Sequence, residues 1–209
     1  VSARAAGAPA VELERANRRM EALVKAGREL ASFKPIETVF EITLDLALEA
    51  VGARRGILMT LENGELVTRA HRGEGFRVSS AVRDKVMRER ASLLVQDATA
   101  DSLLRASQTI VQQNIKSLMA VPLQTESQVI GILYVDTPSL VHPFDAEALN
   151  LLTVFANIAA IRIEHARLME VEHAERLMMH DLEQAADIQR NLFPQQPPEL
   201  AGLELAGRS

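Results

Sequence analysis

Histidine is the side chain of this sequence best suited to proton transfer or metal binding near neutral pH. His165, His173 and His180 recur at steps of eight and seven along one predicted helix, a spacing that suggests a pH-sensitive or metal-binding seam. Ordinary polarity of a solvated helix face explains the same spacing without any ligand. His71 falls on a predicted strand as a candidate haem ligand, but a partly exposed strand histidine is the simpler interpretation. The histidines therefore define no firm site.

Carboxylates and thiols add little further chemistry. Asp97 and Asp101 are close enough in sequence to form a carboxylate pair, but both fall in a predicted loop, and Asp101 is better explained as a helix cap. The chain has no cysteine, which excludes disulfides, thiolate metal sites, iron–sulfur clusters, thiol nucleophiles and thioether-linked chromophores. We therefore predict no catalytic residue, no metal site and no cofactor in this chain.

Composition and charge exclude several classes of partner. The 209 residues are enough for one globular domain with extensions. The 23 Lys and Arg against 28 Asp and Glu give a net charge of −5, without the basic stripe of a nucleic-acid surface or a polybasic membrane signal. The longest apolar stretch, residues 151–163, is judged too short and too polar to span a bilayer. We predict a cytoplasmic protein that neither binds nucleic acid nor inserts into a membrane.

Apolar periodicity and turn residues divide the first half of the chain into elements. Apolar residues at steps of three and four predict a helix over residues 11–33 and a second over 36–51, which Gly52 ends. Asn63-Gly64 is a strong hairpin signal, because both central residues of that turn take positive φ. It joins predicted strands at 55–61 and 65–72.

The second half predicts crossover helices, two central strands and one long helix. Ser79 is expected to cap a helix to Arg90, residues 92–96 a short strand, and Asp101 or Ser102 to begin a helix through Asn114. Residues 117–123 and 129–136 are nearly continuous apolar runs, which indicate strands covered on both faces. The last helix is predicted from Asp145 to about Leu192. Together these elements predict a mostly antiparallel sheet with helices on both faces.

The segment IKSLMAVPLQTESQVIGILYVDTP (residues 115–138), followed by Phe144-Asp145-Ala146-Glu147 and the helix LNLLTVFANIAAIRIEHARL, resembles the GAF domain over residues 34–168. The resemblance implies an α/β fold of the α+β type. Phe144, Asp145 and Glu147 resemble the end of the motif of cyclic-nucleotide-binding members, but a core Phe144 and a capping Asp145 explain them more simply. Free-methionine sulfoxide reductases, another GAF class, need cysteines that this chain lacks.

A ligand pocket, if the domain has one, is expected between the central sheet and the 101–114 region. The candidate lining residues share an apolar or neutral polar character suited to a small unknown ligand. They are Met59, His71, Thr109, Gln113, Met119, Val121 and Tyr134. The alternative is a GAF domain that binds nothing and serves only in dimerisation.

The tail IQRNLFPQQPPELAGLELAGRS (residues 188–209) resembles the start of bacterial PPM-type serine/threonine phosphatases of the RsbU/SpoIIE-like group. The resemblance implies a parent phosphatase that uses Mn or Mg and controls partner-switching signalling. The metal-binding aspartates of that family fall beyond Ser209, so we expect no catalysis from this chain. The start at Val1 likewise suggests an upstream neighbour.

The predicted organisation is therefore a linker and dimerisation helix (1–33), a GAF sensor (34–168), a signalling helix (169–193) and the start of a phosphatase domain (194–209). The two flanking helices predict a parallel homodimer. The step of five from Ala166 to Val171 suggests a phase break that permits switching. The predicted interface residues are Leu13, Met20, Leu23, Leu30, Leu152, Ala159, Ile163, Ala166, Val171 and Met178.

Overall fold

The structure is a computed structural model. It describes residues 17, 20–25, 27–29, 34–74, 77–101, 104–105, 107–140 and 143–192. Residues 20–25 and 27–29 are helical. The interface candidates Leu13 and Leu30, and the predicted phosphatase start at 194–209, lie outside the described residues.

Five strands form one antiparallel sheet, as predicted, and their order in it is β2-β1-β5-β4-β3. The strands are β1 (Arg55–Glu62), β2 (Glu65–Arg72), β3 (Leu93–Val95), β4 (Ser117–Gln124) and β5 (Val129–Thr137). The helices are α1 (Ile36–Val51), α2 (Ser80–Glu89), α3 (Gln108–Gln112) and α4 (Ala146–Leu192).

The turn signals of the first half are confirmed. Gly52 follows α1 in the left-handed conformation, with φ of 68°, and its N–H bonds back to the helix carbonyls. Asn63 and Gly64 have φ of 50° and 86°, which is what a two-residue hairpin turn between β1 and β2 requires.

The sheet separates two apolar clusters, so helices cover both of its faces as predicted. α1 and the first part of α4 pack against one face, where Leu44, Leu133 and Phe155 are buried. α2, α3 and the loops around them cover the other face, where Val82, Ile110 and others are buried. Strands β4 and β5 are buried at nearly every position because each contributes side chains to both clusters.

Gly131 in β5 lies where any side chain would collide with the neighbouring strand β1. A Cβ built there lies 2.1 Å from the carbonyl oxygen of Met59 in β1. Pro122 in β4 pairs with Ile132 of β5, while β3 reaches only as far as Ala120 on the other side. The missing N–H of Pro122 therefore leaves no β3 partner without a donor.

The predicted helix from Asp101 to Asn114 is longer than the observed one: α3 covers Gln108–Gln112, and the described residues before it, 101, 104, 105 and 107, are not helical. Asp101 Oδ1 accepts a hydrogen bond from the N–H of Leu104 at 3.0 Å. Asp97 Oδ1 accepts one from the N–H of Thr99 at 2.9 Å. Such short-range bonds hold the backbone in turns and compete with helix formation, and α3 begins only after Ser107.

The predicted caps of α2 and α4 have different outcomes. Asp145 Oδ1 accepts a hydrogen bond from the N–H of Ala148 at 2.7 Å, so Asp145 caps α4 as predicted. Ser79 precedes α2 but makes no side-chain cap, because its hydroxyl bonds to the hydroxyl of Ser107 at 3.2 Å.

The first part of α4 is a core helix, which explains its apolar composition. By length and composition α4 is apolar enough to cross a membrane, contrary to the sequence estimate, but 44% of its most apolar window is buried inside the protein. The buried residues are Ala148, Leu151, Leu152, Phe155, Ala156, Ala159, Ala160 and Ile163.

Burial corrects part of the predicted dimer interface. Leu152, Ala159 and Ile163 are buried in the core of their own chain, so they are not available to a partner. Leu23 is partly buried against the same core. Of the other predicted interface residues that the structure describes, Met20, Val171 and Met178 are exposed and Ala166 is half-buried. The predicted phase break combined core-facing and exposed positions, and it is therefore not supported.

The chain divides into two compact units, Val1–Arg167 and Leu168–Ser209. The first contains the sheet and both apolar clusters. The described residues of the second, 168–192, are helical and exposed throughout.

Candidate ligand-binding cleft

The seven predicted pocket residues do not line one cavity. Met59 and Tyr134 lie in the apolar cluster beneath α2 and α3, as predicted. Met119 and Val121 lie in the cluster on the opposite face of the sheet, so their placement in that pocket is wrong. Successive strand residues point to opposite faces, and Leu118 and Ala120 of β4 occupy the α2 side instead.

The three polar candidates have separate surroundings. His71 is exposed on the edge strand β2, opposite Ile57. Thr109 is half-buried on α3. Gln113, just after α3, accepts a hydrogen bond from the N–H of Arg77 on its side-chain oxygen at 2.9 Å, and its carbonyl accepts one from Arg55 Nη1 at 3.4 Å. Gln113 therefore joins the loop before α2 to the start of β1.

An open cleft of about 280 Å³ lies between α2, β3 and the loop before α3. Its floor is apolar, formed by Val82 of α2, Leu93 and Val95 of β3, and Leu104 of the loop. Val82 and Val86 anchor α2 to the sheet, one turn apart on its inner face. The outer residues of α2 then border the cleft. The cleft is next to the predicted pocket region but is lined by none of the seven predicted residues.

The rim of the cleft carries charges of both signs. Lys85 and Arg88 lie one helical turn or less apart on α2, and Asp84 and Asp101 face the same space. Asp101 is fixed by its bond to the N–H of Leu104, at 3.0 Å. An apolar floor with a few charged groups is the usual composition of a small-molecule site. This arrangement suits a small ligand that has an apolar part and both positive and negative groups.

A buried polar group centred on Asp136 lies near the end of β5. Asp136 is 1% exposed, and its Oδ1 accepts a hydrogen bond from Arg55 Nε at 2.6 Å. Burial raises the pKa of Asp136 above its ordinary value, with the Arg55 charge opposing that shift. Burial also raises the pKa of Tyr134 well above 10.0, and the nearby Asp136 carboxylate raises it further.

The buried polar group around Asp136 holds elements of the fold together, and neither Asp136 nor Arg55 lines the cleft. Arg55 joins the start of β1 to the end of β5 through Asp136, and to Gln113 after α3. Sequence reasoning did not single out Arg55 or Asp136. A charged residue ending an otherwise apolar strand was the available signal, because a buried charge needs a partner.

Phe144, Asp145 and Glu147 have structural roles. Phe144 is buried in the first cluster, and its N–H donates to Ser117 Oγ at 3.2 Å. Asp145 caps α4 and Glu147 lies exposed in its first turn. The simpler interpretation of these residues is confirmed.

The helix histidines do not gather into a site. His165, His173 and His180 are all exposed on α4. In the part of the chain that the structure describes, no three His, Asp or Glu side chains come together as a metal site would require.

Comparison with known proteins identifies the fold. The family model described as the GAF domain matches residues 35–163, more than half of the chain. The chain belongs to the GAF domain family. This confirms the resemblance drawn from residues 115–138 and the helix after them.

Solved structures superpose on this GAF domain along nearly their whole length. The GAF domain of a phosphoenolpyruvate-protein phosphotransferase from Coxiella burnetii gives a TM-score of 0.61 at 18% identity, covering 75% of this chain and 98% of that one. A GAF domain/HD domain protein from Geobacter sulfurreducens gives 0.55 at 17%, covering 66% and 98%. At these identities the likeness shows the fold alone.

A free methionine-R-sulfoxide reductase from Neisseria meningitidis, in complex with its substrate, is similar to the same extent. Its TM-score is 0.62 at 20% identity, covering 72% of this chain and 91% of that one. The present chain contains no cysteine, so the cysteine chemistry expected of such reductases has no reacting group here. Among curated proteins, none matches this sequence closely enough to count as a relative.

Proposed function

We propose that this GAF domain is the sensory and dimerisation region of a larger bacterial signalling protein, which passes its input through α4. The observation that carries the proposal is the course of one helix. α4 begins at Ala146, packs in the domain core from Ala148 to Ile163, and continues beyond Arg167 to Leu192 with exposed apolar residues. A change in the domain that moves α4 is therefore transmitted along its axis.

The cleft beside α2 is the proposed input site. Its ligand is a small molecule with apolar and charged parts, because the floor is apolar and Lys85, Arg88, Asp84 and Asp101 surround it. α2 also packs on the sheet through Val82 and Val86, which belong to the same apolar cluster as Tyr134 of β5. A ligand bound against α2 would therefore act on a cluster to which β5 contributes.

Thermal unfolding of the chain with a panel of amino acids, other zwitterions and nucleotides tests this input site. A ligand at 100 times its Kd stabilises the folded state by about 2.7 kcal/mol, which gives a measurable rise in Tm. Ala81→Trp, which fills the cleft mouth, should abolish the rise. Ala91→Trp, exposed just after α2 and outside the cleft, should preserve it.

The alternative is a ligand-free GAF module that serves only in dimerisation. Native mass spectrometry of the purified chain separates the two functions. If no co-purified molecule is found and no compound of the panel raises Tm, the passive function stands. A ligand whose effect survives Ala81→Trp contradicts the cleft but not the sensory role.

We also propose that the larger protein is a PPM-type serine/threonine phosphatase of a partner-switching system, with Mn or Mg in its catalytic domain. The support is the resemblance of residues 188–209, most of which lie outside the described residues. The present chain should release no phosphate from an aryl phosphate with Mn²⁺, whereas the full-length protein should. Metal-dependent turnover by the repurified chain, or none by the full-length protein, contradicts the assignment.

The remaining expectations follow from the same assignment. The protein is proposed to act in the cytoplasm, without nucleic acid and without membrane insertion. The support is its acidic net charge of −5 and the burial of much of the apolar part of α4 in the domain core.

A further inference from the structure

Exposed apolar side chains of α4 follow one seven-residue pattern. Within residues 168–192, all of which the structure describes, Leu168, Val171, Met178, Leu182 and Leu192 are large, apolar and exposed. These residues all fall on two positions of a seven-residue repeat, and those two positions recur along the helix at alternating steps of three and four. In heptad notation the a positions are Leu168, Glu175, Leu182 and Gln189, and the d positions are Val171, Met178, Ala185 and Leu192.

The flanking positions widen this seam. Met179 and Ile188, at e and g, are also exposed. Met169 and Leu177 lie at b and c, on the other side of the helix, and are the two exposed large apolar residues outside the seam in this stretch. The apolar surface is thus concentrated on one stripe, which is typical of a helix that packs against a partner.

The same spacing reaches back into the domain. Val154 and Ile161 are exposed, fourteen and seven positions before Leu168, so they continue the a positions. The residues buried in the core, such as Ile163 and Ala159, belong to a different face of α4. The exposed frame therefore runs from Val154 to Leu192 without the phase break that the sequence suggested.

We infer that the Val154–Leu192 seam forms a parallel, in-register, two-stranded coiled coil with a second copy of this chain. The inference deepens the proposed function, since it rests on α4 being the connector. It specifies which face of the connector pairs and in which register.

The seam fits its own copy. A two-fold axis brings identical stripes together, so every apolar a and d position meets an equivalent one. Arg167 at g and Glu172 at the following e are opposite in charge and exposed, and in a parallel pair these positions contact each other between copies. About five and a half heptads exceed the three to four needed for a coiled coil.

Glu175 makes the arrangement weak and gives it a register marker. In a parallel in-register dimer the two Glu175 side chains face each other at an a position, where like charges repel. Most of the a and d positions are apolar. The polar exceptions are Asn157, Glu164, Glu175 and Gln189. The dimer is therefore expected to be reversible.

Leu182 and Leu177 provide a matched pair for the first test. They are 55% and 53% exposed on the same helix, but Leu182 is at a and Leu177 at c. In sedimentation of the chain at tens of micromolar, the unmodified protein and Leu177→Asp should be dimers. Leu182→Asp should be monomeric, with its dimer Kd raised at least about 100-fold, since two carboxylates would be buried face to face. A monomeric unmodified protein, or equal effects of both variants, overturns the inference.

Mixing the unmodified chain with Glu175→Lys tests the direction and register. A parallel in-register pair places Glu against Lys, so mixed dimers should exceed the half expected from random exchange, measured by native mass spectrometry. A random ratio shows that the two positions do not meet and overturns the parallel register. Neither experiment depends on a cleft ligand or on phosphatase activity, so their failure is distinct from failure of the proposed function.

Discussion

At the scale of the residue, Tyr134 offers a direct optical test of the buried polar group. It is the one tyrosine of the chain, which has no tryptophan, so tyrosinate absorbance reports Tyr134 alone. Because burial and Asp136 raise its pKa well above 10.0, the neutral phenol stabilises the fold below pH 10, and that contribution is lost as pH rises through the folded-state pKa. We predict tyrosinate formation only together with alkaline unfolding. Titration of the folded protein near pH 10, as in denaturant, would contradict this.

The residues that the sequence predicted correctly have roles that depend on local geometry. Asp145 as a cap, Phe144 as a core residue and Asn63-Gly64 as a hairpin turn all depend on near neighbours in sequence. Met119 and Val121 were misplaced because the sequence does not state which face of a buried strand meets which helix. Both faces of β4 are apolar, so alternation gave no guidance.

Replacing Gly131 with alanine should strongly destabilise the fold, because there is no room for one added methyl group. In Gly131→Ala the new Cβ meets the carbonyl oxygen of Met59 at 2.1 Å and the Leu123 side chain at 3.0 Å. The free energy of unfolding should fall by about 1–3 kcal/mol, the usual cost of overpacking, because the Met59 backbone is held in the sheet. Gly27→Ala is the control, since nothing lies within 4 Å of its Cβ and Gly27 is helical. It should stabilise by about 0.5–1 kcal/mol in denaturant unfolding.

At the scale of the element, periodicity predicted the strands and the long helix because their apolar patterns are strong. The 101–114 helix failed where Asp97 and Asp101 hold local turns, a competition that residue types alone do not decide. The cleft was missed for a related reason. It is formed between α2, β3 and that loop, three successive segments between Ala81 and Leu104 whose packing against one another the residue types alone do not decide.

α4 has two apolar faces, one buried in the domain core and one exposed, and the sequence pattern did not separate them. Ile163 is 4% exposed and packs in the domain core, whereas Ile161 is 63% exposed on the same helix. The predicted step of five from Ala166 to Val171 arose because residues of the inner and outer faces were combined in one apolar pattern. Burial separates the two faces, and each then follows its own regular spacing.

The two isoleucines predict opposite outcomes for one substitution. Ile163→Glu should lower the free energy of unfolding by at least about 3 kcal/mol, because it buries an unpaired carboxylate. Ile161→Glu should leave the free energy of unfolding of the monomeric chain within about 0.5 kcal/mol of the unmodified value, as exposed substitutions do. Denaturant unfolding of residues 1–209 at a concentration below the dimer Kd measures both. Equal losses would show that α4 is rotated from the orientation described.

At the scale of the whole molecule, one helix serves the domain and the connector with two different faces. The inner face fixes α4 to the sheet through Leu152, Phe155 and Ile163. The outer face carries the seam from Val154 to Leu192. In the proposed dimer, a rotation of α4 that is driven from the domain would change how the two seams meet, without any change in the residues that form them.

Insertions near Glu170 test that coupling in full. One added residue rotates the downstream helix by about 100°, so Val154 and Ile161 no longer share a stripe with Met178 and Leu182. The dimer Kd should rise about tenfold or more, as judged by sedimentation, because the seam is divided into two shorter parts. An insertion of seven residues restores the heptad frame and should restore the affinity. If the larger protein is the phosphatase proposed above, its output should follow the same order. If one and seven added residues have equal effects, α4 acts as a tether, and the phase of its seam carries no information to the next domain.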